Sequence, residues 1–213
     1  MLIAFEGIDG SGKTTQAELL NARLTREGVP NRLVREPGGT KLGEGVRDLL
    51  LHRTDLKISP VTEFLLFSAS RAQLVSEIVM PLLAEGNAVI LDRYFYSSVA
   101  YQGFGRGVGI EEIEMVSRVA TGGLVPDVVF LVELDLEEAI RRREMEGRRA
   151  DRMENAEIEF FKRVIHGFSE CARKEPNRFV LVDGRAPIEV TAEKIFKDVM
   201  FRIKNVAEEK NAP

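Results

Sequence analysis

Gly7-Ile8-Asp9-Gly10-Ser11-Gly12-Lys13-Thr14 reads G-x-x-x-x-G-K-[ST] without a mismatch. It follows the apolar run Leu2–Glu6 and precedes a stretch of helical spacing, the setting this motif requires. Glycines at such a turn let backbone N–H groups converge on phosphate oxygens, and the helix start adds its positive end. Lys13 would reach the β- and γ-phosphates, and the Thr14 hydroxyl would bind Mg²⁺. Thr15 completes the nucleotide-binding set. Binding of a nucleoside triphosphate follows from these residues.

The class of phosphate chemistry is narrower than the motif. A guanine-reading switch needs N-K-x-D or T-K-x-D, and Thr40-Lys41-Leu42-Gly43 lacks the aspartate. Mechanical ATPases usually need a longer chain. A small phosphoryl transferase is therefore expected. A second cluster supports it: Arg141, Arg142, Arg143, Arg148, Arg149 and Arg152 fall within twelve positions. Phosphoryl transfer needs positive charge over the moving group, commonly supplied by arginine.

Positioning these groups requires a sheet. Leu2–Glu6, Asn31–Arg35, Ala88–Asp92, Val128–Leu134 and Arg178–Val182 are short, apolar and β-branched. Between them, helical spacing covers Thr14–Glu27, Gly43–His52, Pro60–Glu85, Ile110–Ala120, Leu136–Met145, Ala156–Lys174 and Ile188–Val206. Ser59 before Pro60 and the Asp135-x-x-Glu138 capping box mark two helix starts. Strands apolar throughout and separated by helices predict a parallel sheet covered on both faces. The expected fold is a three-layer α/β P-loop NTPase domain of about five parallel strands, residues 1–213, with an arginine-rich lid at about 141–153. Gly103–Gly109 is expected to be a glycine-rich loop.

Composition narrows the partners. The 213 residues are 44% hydrophobic with a net charge of -4, which suits a packed core and excludes intrinsic disorder. Without a basic excess, no nucleic-acid partner is expected. Cys171 is the one cysteine, so no disulfide framework or cysteine zinc site is expected. No run approaches about 20 apolar residues and the N-terminus has no signal-peptide pattern, so a cytoplasmic protein without a membrane partner is expected.

Four segments occur in family order and spacing: Phe5-Glu6-Gly7-Ile8-Asp9, Arg35-Glu36-Pro37-Gly38-Gly39-Thr40, Phe67-Ser68-Ala69-Ser70-Arg71 and Asp92-Arg93-Tyr94-Phe95-Tyr96-Ser97-Ser98-Val99-Ala100-Tyr101-Gln102-Gly103. Together they resemble the thymidylate kinases, which phosphorylate dTMP to dTDP with ATP. The resemblance implies that Asp92 holds the Mg²⁺ shell, Arg93 binds the dTMP phosphate and Asp9 meets the deoxyribose 3′-hydroxyl. It implies Phe67 stacked on thymine, Arg71 on its O4, and Ser97, Ser98 and Gln102 as polar contacts. Tyr101 would exclude a 2′-hydroxyl. Arg35, Pro37 and Arg47 are expected near the acceptor phosphate, with a kinked, optionally cis, Glu36–Pro37 bond. Glu6 and Glu36 are expected to support metal or arginines.

Family members carry a catalytic arginine in the P-loop or in the lid. Ile8, Asp9, Gly10 and Ser11 include none, so the lid-arginine type follows, with Arg148, Arg149 or Arg152 as the cation. Arg143 is expected at the nucleotide, and Arg185, Ala186 and Pro187 beside adenine. The resemblance also implies a homodimer. Another nucleoside monophosphate kinase, a deoxynucleoside kinase or a nucleotide-holding switch are the alternatives.

Overall fold

The computed structural model describes residues 1–145, 153 and 157–211, with side chains through residue 205. Five strands, β1 (Leu2–Glu6), β2 (Asn31–Arg35), β3 (Ala88–Asp92), β4 (Val128–Glu133) and β5 (Phe179–Asp183), form one parallel sheet. Their order is β2-β3-β1-β4-β5, so the first strand runs through the middle. The expected runs all pair; β4 ends one residue early, and β5 is shifted by one toward the C-terminus.

The described helices are α1 (Lys13–Arg26), α2 (Lys41–Arg47), α3 (Pro60–Leu74), α4 (Met80–Ala84), α5 (Phe95–Ser98), α6 (Ile110–Thr121), α7 (Leu136–Met145), α8 (Ile158–Lys174) and α9 (Ile188–Asn211). Pro60–Glu85, expected as one helix, is α3 and α4 joined by a π-helical turn at Val75–Val79. A second π-turn, Asp48–His52, extends α2, and a third, Val99–Gly105, extends α5. Both expected start signals form: Ser59 Oγ accepts from Thr62 N at 3.2 Å and Asp135 Oδ1 from Glu138 N at 3.0 Å. No described helix is long and apolar enough to cross a membrane.

Strand alternation divides the core into two layers. Ile3, Phe5, Ile90 and Phe130 pack against Leu20 and Leu24 of α1 and Ile195 and Val199 of α9. Leu2, Ala4, Leu91 and Val129 face the opposite layer, where Phe64 of α3, Ile113 of α6 and Phe168 of α8 fill the space. With apolar groups needed on both faces, the strands read as continuous apolar runs.

The glycine-rich loop is a correction. Gly103, Phe104 and Gly105 belong to the π-turn Val99–Gly105, and only the residues after them leave it. The reason is close packing of this turn on α8. A Cβ built on Gly167 of α8 would lie 2.9 Å from the Ala100 Cα and 2.9 Å from Phe104 Cδ2. Gly167→Val should therefore lower stability by about 2 kcal/mol, even though valine is the better helix former. Urea unfolding checks this; an unchanged or raised midpoint would contradict the contact.

Candidate functional site

All five strands end on the same side of the sheet, where ligands of open α/β folds bind. Leaving β1, the chain turns through Gly7, Gly10 and Gly12 at φ 140°, 85° and 95°, values that side chains rarely adopt. At Gly7 there is no room either: a Cβ would meet the Val132 carbonyl oxygen of β4 at 2.6 Å. Helix α1 then opens at Lys13 without a side-chain cap, which leaves its first N–H groups for an anion. Lys13 Nζ stands 3.0 Å from Asp9 Oδ1. The Thr14 hydroxyl donates to Asp92 Oδ2, at the end of β3, at 2.6 Å.

Arg93 follows Asp92 with φ 75°, a strained conformation for a bulky residue. Its side chain explains what holds it there. Nη1 donates to the Gly7 carbonyl at 3.0 Å and to Ser97 Oγ at 2.9 Å; Nη2 donates to Asp9 Oδ1 at 2.7 Å and Tyr101 OH at 3.3 Å. Burial alone would raise the Asp9 pKa, but Arg93 and Lys13 outweigh it and hold the carboxyl well below the usual range. Beneath this cluster lies Glu6, with no exposure. It accepts from Tyr94 N at 2.9 Å, Ser97 N at 3.2 Å and Ser97 Oγ at 2.6 Å.

A second arginine is buried further along the sheet edge. Arg71 is 1% exposed, and its Nε donates to Glu36 Oε2 at 2.7 Å, its Nη2 to Ser98 Oγ at 3.1 Å. Nη1 has no hydrogen-bond partner. Glu36 is raised by burial, an effect that Arg71 only partly offsets. The Glu36–Pro37 bond is cis, and Arg47 donates to the Pro37 carbonyl at 2.9 Å. Arg35 turns to Glu44 at 3.1 Å, whose other oxygen accepts from Gly39 N at 2.9 Å. Gln102 is buried, and its Nε2 donates to Glu63 Oε1 at 2.9 Å.

These groups line one cavity of about 650 Å³. Its lining includes Asp9 through Thr15 with Asp92 and Arg93, then Ser97 and Tyr101 bonded to Arg93, and also Arg35, Pro37, Arg47, Phe67, Arg71, Ser98 and Gln102. Ala186 lines it too, whereas Gly7, Ile8 and Arg185 line a smaller neighbouring cavity of about 340 Å³. Arg185 is paired there with Asp135. Arg143 lies over the Phe161 ring, 5.3 Å from its centroid, and Pro187 lines neither cavity. Arg148, Arg149 and Arg152 lie outside the described residues, as does most of the proposed lid. Sequence reading missed several neighbours. Arg142, one position from Arg143, lines the large cavity and donates to the Gly184 carbonyl at 2.9 Å. Gln16, Leu51, Met153, Ile188 and Thr191 join it from four separate elements or turns and carry no local signal.

A family model described as "Thymidylate kinase" matches residues 5–195. The chain belongs to the thymidylate kinase family. The thymidylate kinase of Caldanaerobacter subterraneus subsp. tengcongensis is 47% identical over 202 residues, covering 95% of this chain and 96% of that protein. That of Chlorobium chlorochromatii is 44% identical, covering 96% of each. The crystal structure of thymidylate kinase from Ehrlichia chaffeensis aligns with a TM-score of 0.77 at 34% identity, over 94% of this chain and 98% of that one. As a thymidylate kinase the chain is an ATP-dependent nucleoside monophosphate kinase, and in the large cavity the phosphate cradle meets the buried polar groups Arg71 and Gln102.

Glu6 makes this thymidylate kinase site sensitive to pH. Burial lifts its pKa from 4.5 to about 7, against Arg93 and hydrogen bonds from Ser97 and Tyr94. The folded value thus exceeds the unfolded one, so the native state binds the extra proton and stability falls as pH rises through that window. Asp9 acts in the opposite sense, its contribution being lost as pH falls below the ordinary carboxylate range. Glu6→Gln should remove a loss on the order of 3 kcal/mol between about pH 4.5 and 7. Denaturant unfolding at several pH values measures it, and parallel curves for the two proteins would refute the assignment.

Proposed function

We propose that the cavity binds ATP and dTMP end to end and transfers the γ-phosphoryl group in line to the dTMP 5′-phosphate, giving dTDP and ADP. The single observation behind this reading is that one continuous cavity joins the P-loop to Phe67, Arg71 and Gln102. ATP phosphates lie on the Gly7–Thr14 turn and the start of α1, with Lys13 at the transferred group. Arg93 neutralises the acceptor phosphate; a guanidinium fork suits a phosphate dianion. Thymine lies between Phe67 and the buried Arg71, whose Nη1 is a donor without a protein partner. Ser97 and Ser98 stand beside these contacts, and Tyr101, tied to Asp9 at 3.3 Å, closes the ribose side.

The residues present fit a Mg²⁺ ion. Thr14 Oγ1 and Asp92 are hard oxygen donors 2.6 Å apart, and Asp92 Oδ1 is buried without a partner. Mg²⁺ is commonly held by one or two carboxylates together with substrate phosphates, and when bound it would offset phosphate charge. No general base is required of the protein, because a phosphate monoester is largely ionised at neutral pH. What the chain supplies is alignment and charge: Lys13, Arg93 and Arg142 around the anions, and walls that exclude water. We assign the work to the cytoplasm, in keeping with the lack of any described helix able to cross a membrane.

A homodimer is part of the proposal. Val61 and Leu65 of α3 and Met115 and Val119 of α6 are each four apart on one helix face and half or more exposed. The two helices pack side by side, and we take their exposed apolar side chains as the surface that meets a two-fold partner.

Lys13→Ala should lower kcat about 10²-fold or more while the melting temperature changes little; ADP release coupled to dTMP addition reads it. Near-normal turnover would overturn the phosphate assignment. Val119→Asp should shift the protein from dimer to monomer in sedimentation, and an unchanged dimer would move the interface elsewhere.

A further inference from the structure

We propose that Glu63 is a positioning residue for base recognition: it sets the orientation of the Gln102 side-chain amide, so that the atom turned to the base is the carbonyl oxygen. The inference rests on Gln102 being a base contact. Glu63 lies in the first turn of α3 and is 1% exposed. Its Oε1 accepts from Gln102 Nε2 at 2.9 Å and faces Arg106 Nε at 3.4 Å. An oxygen approached by a guanidinium N–H is an acceptor, so the Gln102 atom that meets it must be the nitrogen. Amide orientation is decided by such partners. Turning the amide over would set its oxygen against Glu63 and leave a buried group unpaired, which is costly.

The brace is itself held from two sides. The Arg106 guanidinium lies over the Phe160 ring of α8, 4.5 Å from its centroid, and its Nη2 approaches Met153 Sδ at 3.8 Å. Gln102 is 2% exposed and lines the large cavity, as does Arg71, whose Nη1 is an unpartnered donor. The wall therefore offers one donor and one acceptor. A pyrimidine with a 4-oxo group next to N3–H complements that pair. A 4-amino pyrimidine, with a ring nitrogen acceptor at position 3, reverses both and leaves buried groups facing like groups. Without Glu63 the amide can turn over, and the discrimination weakens.

The test compares dTMP with dCMP as acceptors for the parent, Glu63→Met, Glu63→Gln and Gln102→Leu, with thermal melts on each. Glu63→Met should lower the dTMP:dCMP ratio of kcat/KM about tenfold or more, mainly through KM for dTMP, with KM for ATP unchanged. Glu63→Gln keeps an oxygen that can accept from both partners and should hold the ratio within about threefold of the parent. A folded Glu63→Met protein with the parental ratio overturns the proposal, as does a Glu63→Gln protein as impaired as Glu63→Met. If Glu63→Met does not fold, Glu63→Ala, which leaves room for water, carries the same expectation. Gln102→Leu separates the two levels: a parental ratio there overturns the base-contact reading and the proposal with it. A lost ratio in Gln102→Leu but not in Glu63→Met overturns the positioning role alone.

Discussion

The Asp9–Arg93 ion pair is the joint on which the site depends. Asp9 belongs to the turn after the central strand, and Arg93 to the turn after its neighbour, so one 2.7 Å contact ties the glycine-rich turn after β1 to the chain leaving β3. The guanidinium also takes the Gly7 carbonyl, Ser97 Oγ and Tyr101 OH, which holds a backbone at φ 75° that the residue would not choose alone. Charge density explains the arrangement. In the proposed reaction two nucleotides would bring several negative charges into a small volume, and a fixed cation between them would cost no reorganisation when the phosphoryl group moves.

The part of the cavity around Arg71 and Gln102 sets buried polar pairs among apolar side chains such as Leu51 and Phe67. Arg71 with Glu36 and Gln102 with Glu63 are all nearly inaccessible. Such pairs add little net stability, because desolvation offsets much of the attraction. Under the proposed reading their value lies in direction: Arg71 would keep one donor, and Gln102 one acceptor, for the base. A solvated arginine could not do so, since water would satisfy it in any rotamer.

Legibility in the sequence followed range. The P-loop, the strands and two helix caps were readable because each depends on residues within a few positions of one another. The Gly103–Gly105 segment misled because a glycine looks alike whether it supplies a turn or lets two helices touch, and the partner Gly167 is more than sixty positions away. Arg142 and Arg143 could not be told apart, since adjacent positions on a helix face different ways and only the packing of α7 decides which meets the cavity. Glu63 had no local signal at all; its partner Gln102 lies 39 residues on, beyond α4, β3 and α5.

Residue order by itself determined the layer architecture, the phosphate-binding turn and the family, because periodicity and short motifs are written along the chain. Tertiary structure alone decided which charges are neutralised by protein, which donors stay open, and which face of each helix meets the cavity. Those properties depend on distances of about three ångströms between residues far apart in sequence, and on how deeply each pair is removed from water.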